Sequence, residues 1–227
     1  MNRIDGTKTG LREFVTASIF TGLIFLLAFI TPLGFIPLGG INATTIHIPV
    51  IVGSLTLGPY WGAFLGAVFG ITSFIKNSFM PNLTSFVFSP MIPLPGTSSG
   101  SLWALVVCFV PRILIGVTPW YVNKLLRSFS PLKEKLLLSM LPLFAAGIAG
   151  SATNTLLVMH IIYFAFKDSY AAAAAQNTAY AAYTASGAIY DLILFIIMTN
   201  GIPEAIVAGV LTSSICKAIE AYRKGRN

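Results

Sequence analysis

One guanidinium stands inside a greasy run. Arg112 follows Pro111 about three helical turns into the apolar segment that begins at Ser101. An ionisable group at such depth is a functional hypothesis by default, because burying an unpaired charge is expensive. The planar fork of arginine suits a carboxylate, and Pro111 loosens the helix beside it. The functional expectation is a clamp for a ligand anion. The structural alternative is a pair with Asp191 or Glu204, or a contact with backbone carbonyls.

Neutral polar groups recur at comparable depths. Lys76 and Asn77 close one apolar segment, and Asn154 sits mid-segment between Thr153 and Thr155. Lys76 is placed either to snorkel outward or to add a second cation. Asn154 is placed either for an interhelical hydrogen bond or as a pocket donor. Asn42, Thr44, Thr45 and His47 cluster where a loop meets a short helix, and Thr44 or Thr45 can cap that helix. Asn200-Gly201-Ile202-Pro203-Glu204 opens the last apolar segment. Capping explains it, with Pro and Glu in the first turn, and so does a positive helix terminus that faces a ligand with Asn200 as donor. Trp103, Tyr163, Tyr180, Tyr183 and Tyr190 suit an aromatic belt, or in part a cavity wall. The ligand-binding candidates are therefore Asn42, Thr45, Lys76, Asn77, Trp103, Arg112, Asn154 and Asn200.

Other chemistries find no matching residues. Nothing resembles a phosphate loop, so the chain is not expected to use ATP itself. No Ser-His-Asp set, paired catalytic carboxylates or Cys/His metal spacing occurs, and no enzyme activity, metal or cofactor is called for. Cys108 and Cys216 lie in apolar runs and read as buried reduced thiols.

The elements that carry these residues are membrane elements. The 227 residues are 56% hydrophobic and 9% charged, with mean hydropathy +0.82. Soluble domains are about one quarter charged. The reading is an all-α integral membrane bundle of six helices, a single domain over residues 1–227, with ligand-binding loops on the extracellular face. Leu11 to Ile30 is an uncleaved first span. His47–Leu57 and Tyr60–Ile75 are short helices that break at Gly58-Pro59. Residues 77–100 are a long irregular loop whose Phe79, Met80, Phe86, Phe88, Met91 and Leu94 are expected to pack back. Ser101–Leu126, Lys135–Phe166 and Ile202–Tyr222 are further spans. Ile189–Met198 is too short for a span and is expected as a re-entrant or interfacial helix.

All of the 14 basic residues except Lys76, Arg112 and Lys167 fall on one side of this arrangement. The positive-inside rule makes that side cytoplasmic, with residues 1–10 and the basic tail 223–227 inside. The loops 31–46, 77–100 and 167–201 then share the outer face. The net charge of +7 follows helix ends rather than a nucleic-acid patch, so the expected surroundings are the lipid bilayer of the cell membrane. On the first helix, Ala17 with Thr21 and Ser18 with Gly22 make small-residue faces that allow close helix approach.

These features together resemble the S components of energy-coupling factor vitamin transporters over nearly the whole chain. Phe35-Ile36-Pro37-Leu38-Gly39-Gly40-Ile41-Asn42-Ala43-Thr44-Thr45-Ile46-His47-Ile48-Pro49 is similar to the first-loop pattern of the pantothenate type. Gly58-Pro59 through Gly70-Ile71-Thr72-Ser73, Phe88-Ser89-Pro90 and Asn200-Gly201-Ile202-Pro203-Glu204 are similar as well. The resemblance implies vitamin capture outside the cell, and association with a transmembrane coupling protein and two ATP-binding cassette ATPases. It also implies that one small-residue pair, Ala17/Thr21 or Ser18/Gly22, touches the coupling protein. Within the family, a hydroxymethylpyrimidine-type ligand is the alternative. It would need aromatic stacking from Trp103 or a Tyr rather than Arg112. A stand-alone membrane enzyme or channel is the more distant alternative.

Overall fold

The computed structural model describes residues 3–30, 34–37, 42–129, 136–176 and 180–225. The rest of the first loop, the turn carrying Lys133 and Lys135, and Arg226 in the tail lie outside the described residues. The fold is helical: α1 Arg3–Phe29, α2 His47–Leu57, α3 Pro59–Phe79, α4 Trp103–Phe129, α5 Leu136–Ala174, α6 Ala181–Ala185, α7 Ile189–Ile196 and α8 Ile202–Lys224. Four described stretches, within α1, α4, α5 and the α7–α8 rod, are long and apolar enough to cross a membrane.

The expected count of six helices changes at the C-terminal side. Residues 189–198 do not form a separate re-entrant helix. α7 runs through a π-helical turn, Ile197–Gly201, directly into α8. The junction tolerates Pro203 because a proline in the first turn of a helix lacks only a hydrogen bond that is absent there anyway. α5 is also longer than expected. It continues past Phe166, where the backbone leaves helical geometry (φ −134°, ψ 17°), into the alanine-rich stretch.

Gly58 separates α2 from α3 at φ 98°, a conformation open to glycine, and Pro59 starts α3 in the first turn. Part of the first loop is ordered as an antiparallel hairpin, β1 Phe35–Pro37 with β2 Asn42–Thr44, in which Phe35 faces Thr44 and Pro37 faces Asn42. No threonine side chain caps α2, whose N-cap position is Ile46. The long loop packs back only in part. Phe86 and Val87 are buried in a 3-10 turn, while Phe79, Met80 and Met91 stay exposed.

α3 and α4 approach unusually closely. A Cβ at Gly62 would strike the Gly116 carbonyl, and one at Gly66 would strike the carbonyl of Arg112 itself. Small residues at four-residue spacing let two backbones meet in this way. The contact presses the Arg112 turn of α4 against Phe69 on α3.

The apolar interior is divided. One cluster joins Phe86, Val107, Val158, Ile162, Leu192 and Ile196, and another joins Ile24, Val50, Ile51, Leu65, Phe69 and Ile115. A polar cavity opens where the two fail to merge.

Candidate functional site

The cavity has a volume of about 570 Å³. That is within the size range of small-molecule sites. α3 supplies Phe69, Ser73, Lys76 and Asn77, positions spaced to share one helical face. α4 supplies Arg112, and α5 supplies Asn154, Thr155, Val158 and Met159. The π turn and its flanks bring Ile196, Asn200, Gly201 and Glu204. Thr44 from β2, Met80, Asn82 and Phe88 from the long loop, and Tyr180 complete the wall.

Arg112 is 6% exposed and makes no ion pair among the described residues. Neither Asp191 nor Glu204 neutralises it by a salt bridge. Its guanidinium carbon lies 4.9 Å from the centroid of Phe88 and 5.5 Å from that of Phe69. Cation–π contacts of this kind contribute about 2 kcal/mol when desolvated. Nη1 donates to the Val107 carbonyl at 2.6 Å. The partner follows from the sequence. Val107 is four residues before Pro111, which has no N–H to offer it, so proline frees a carbonyl and the next residue's side chain takes it. Nε is buried and has no hydrogen-bond partner among the described residues. A buried unpaired donor is costly, and a ligand acceptor would relieve that cost.

The opposite charge in the wall is spoken for. Glu204 Oε1 accepts the Thr44 backbone N–H at 2.7 Å and also the Thr44 hydroxyl. This joins the first-loop hairpin to the start of α8 across the cavity. Glu204 is the expected acid in the first turn of α8, but its hydrogen-bond partner is Thr44 rather than Arg112, and Thr44 does not cap α2.

The other candidates divide. Asn154 lines the cavity, and its Oδ1 is buried without a hydrogen-bond partner among the described residues. Asn200 lines it from the π turn. A Cβ on neighbouring Gly201 would fall 2.8 Å from Thr155 Cγ2, so glycine lets this turn press against α5. Lys76 lines it too, while its Nζ donates to the Ala28 carbonyl at the end of α1 at 2.9 Å. Asn77 lines it but is engaged at both ends. Its Nδ2 donates to the Ser73 carbonyl and its Oδ1 accepts from Ser85 Oγ, each at 2.8 Å. Asn77 thereby ties the long loop to α3.

Trp103 and Thr45 do not belong to the cavity wall. Trp103 is 56% exposed in the first turn of α4, and Thr45 is buried behind Thr44. Asn42 contributes its backbone to β2, and its side chain lies outside the described residues. Phe69 and Asn82 did not stand out in the sequence, Ser73 and Phe88 entered only within the family-like motifs and the loop expected to pack back, and Tyr180 is one of the aromatic residues offered for a belt or a cavity wall. Helical spacing from Asn77 back to Ser73 and Phe69 was the signal that could have found two of them.

On α1, Ala17 is buried in the bundle and Thr21 is half-buried, with its hydroxyl unpartnered. Ser18 and Gly22 are exposed, and a Cβ on Gly22 would meet nothing within 4 Å. The two small-residue pairs therefore face in different directions. Among the described residues, no group of His, Cys, Asp or Glu is placed to hold a metal ion.

Chemically, the cavity offers a buried cation, Arg112, in no ion pair among the described residues, an amide oxygen, Asn154 Oδ1, with no hydrogen-bond partner among them, and a fixed carboxylate. Such a set can grip a small molecule with an acid group and several hydrogen-bonding groups; it has no nucleophile–base pair. A model of the family described as "ECF transporter, substrate-specific component" matches residues 12–216. The pantothenic acid transporter PanT of Lactococcus lactis subsp. cremoris (strain MG1363) is 36% identical over 187 residues, which is 82% of this chain and 81% of that protein.

Proposed function

The chain belongs to the substrate-specific components of ECF transporters, and from that premise we propose that it captures pantothenate at the cavity between α3, α4, α5 and the α7–α8 rod. It is a multi-pass membrane transport subunit and not an enzyme. The observation that carries the ligand reading is Arg112: a buried guanidinium in no ion pair among the described residues, lining a cavity of vitamin size. Pantothenate brings one carboxylate, an amide and two hydroxyls. The carboxylate meets Arg112, where Nε lacks an acceptor. Asn154 Oδ1 accepts an amide N–H or a hydroxyl. Glu204 and Asn200 serve the hydroxyl end. A neutral aromatic ligand would leave Arg112 unpaired, and Phe69 and Phe88 are already covered by the guanidinium.

The distribution of basic residues supports a cavity that opens outside and termini that lie in the cytoplasm. In this reading a transmembrane coupling protein and two ATP-binding cassette ATPases supply the energy. The exposure of Ser18 and Gly22 supports that pair, rather than Ala17 with Thr21, as the contact for the coupling protein.

The direct test is calorimetric titration of the purified chain with pantothenate. Binding is expected for pantothenate and not for its amide analogue, which keeps the shape and loses the charge. Equal affinity for the two would remove the anion clamp from the mechanism.

A further inference from the structure

Away from the cavity, at the opposite end of the bundle, α1, α2 and α8 part around an open groove of about 750 Å³. It lies against the C-terminal ends of α2 and α8, whereas the cavity uses the N-terminal end of α8. Arg12 and Arg223 stand on its rim, both exposed and neither in an ion pair among the described residues. Leu57, Ile215 and Ile219 line its apolar part. Its carboxylate, Glu13, already accepts the Trp61 indole N–H at 3.3 Å. The groove therefore presents two guanidiniums against one engaged acid, directly beside an apolar channel.

We propose that this groove binds one anionic phospholipid, with the phosphate between Arg12 and Arg223 and an acyl chain along Leu57, Ile215 and Ile219. Three physical reasons support this occupant. The cations sit near the ends of apolar helices, where a bilayer's phosphates lie. Guanidinium forks match phosphate oxygens, and basic pockets between membrane helices favour anionic head groups. In the chain free of its coupling protein, the outward side of α1 beside the groove is apolar, with Leu11, Val15 and Ile19 exposed, so an acyl chain can enter laterally from the bilayer. A zwitterionic lipid would bring its own cation against two arginines and is disfavoured.

Native mass spectrometry of the full chain, delipidated and titrated with phosphatidylglycerol or phosphatidylcholine, tests this. One equivalent of phosphatidylglycerol should bind about tenfold or more tighter than phosphatidylcholine. The double variants R12A/R223A and R12Q/R223Q should lose that preference, and K224A, outside the groove lining, should keep it. Melting temperature and pantothenate affinity, read on the same samples, verify that the variants are folded. Equal binding of the two lipids by the unmodified chain overturns the proposal without relying on any variant. So does an unchanged preference in folded double variants, including the case where they lose assembly with the coupling protein instead. That last result would assign the groove to a protein partner.

Discussion

Two arginines on the same helix show what depth does to a charge. Arg112 is 6% exposed, is in no ion pair among the described residues and lies over the rings of Phe69 and Phe88. Arg127, near the other end of α4, has a side chain 47% exposed and is held by Glu220 at 3.1 Å and by Asn123 Oδ1 at 3.0 Å. The paired arginine is the one in the wetter place. Where water is near, an ion pair is cheap to form and weak. Where water is absent, a cation without a counterion is a standing demand for one. Among the described residues that demand is unmet at Arg112 and met at Arg127, and the proposed clamp role of Arg112 rests on this difference.

The largest effect expected from breaking this contrast is Arg112→Ala. Loss of a charge-assisted pair in a dry site costs about 3 kcal/mol or more, so pantothenate affinity should fall about a hundredfold. Calorimetry on the folded variant measures it. Arg112→Lys keeps the charge and loses the fork, and should fall in between, at about tenfold. If the alanine variant binds as tightly as the parent, Arg112 is structural and the contrast with Arg127 carries no functional meaning.

Glu204→Gln comes next. The amide keeps the size of the side chain and removes the charge that receives both donors of Thr44. A charged acceptor contributes about 1.5–3 kcal/mol, so affinity should drop about tenfold. The hairpin should also exchange its amides faster, because its tie to α8 is weaker. Hydrogen exchange at residues 42–44 reads the second effect separately from the first. Faster exchange with unchanged affinity would make Glu204 a latch without ligand contact.

These two residues differ in how far the sequence reveals them. Arg112 is legible because a lone charge in an apolar run stands out against its neighbours. The break at Gly58-Pro59 is legible for the same local reason, since backbone chemistry at two adjacent residues decides it. The role of Glu204 is hidden because its partner, Thr44, is 160 residues away. Local chemistry at Glu204 reads equally well as a helix-start acid. The π turn at Ile197–Gly201 is hidden differently. Asn200-Gly201-Ile202-Pro203 looks like a stop between two helices, and the close approach of Gly201 to Thr155 on α5 is a contact that the local sequence does not show. Trp103 misleads because an aromatic near a helix start suits a membrane interface and a cavity equally well; its exposure keeps it out of the cavity wall.

A smaller effect sharpens the account of how Arg112 is aimed. Pro111 leaves the Val107 carbonyl without a helical donor, and Nη1 of Arg112 takes that place at 2.6 Å. Pro111→Ala restores a backbone N–H that competes for the same carbonyl. The guanidinium then loses its anchor while keeping its charge and its aromatic neighbours. Affinity should weaken about threefold, near the value of one ordinary hydrogen bond's net contribution. Helix stability should rise, because proline is the poorest residue for a helix interior. Opposite signs in melting temperature and affinity are the signature to look for. A parallel loss of both would mean that the kink itself shapes the cavity.

The smallest effect belongs to Arg127→Ala. The pair with Glu220 is exposed on both sides, and Glu220 keeps a second partner in Lys217 at 2.8 Å. Removing Arg127 therefore does not strand a buried charge. Stability should fall by no more than about 1 kcal/mol, and that difference should shrink in high salt because exposed pairs are screened. Pantothenate affinity should stay within about twofold, since that tie lies among the C-terminal ends of α4 and α8 and the cavity does not include it. Thermal unfolding at low and high salt, with calorimetry on the same preparation, checks all three statements. A large loss of affinity here would show that the tie between α4 and α8 transmits strain to Arg112 along the helix they share. The two arginines would then be one coupled device rather than two independent ones.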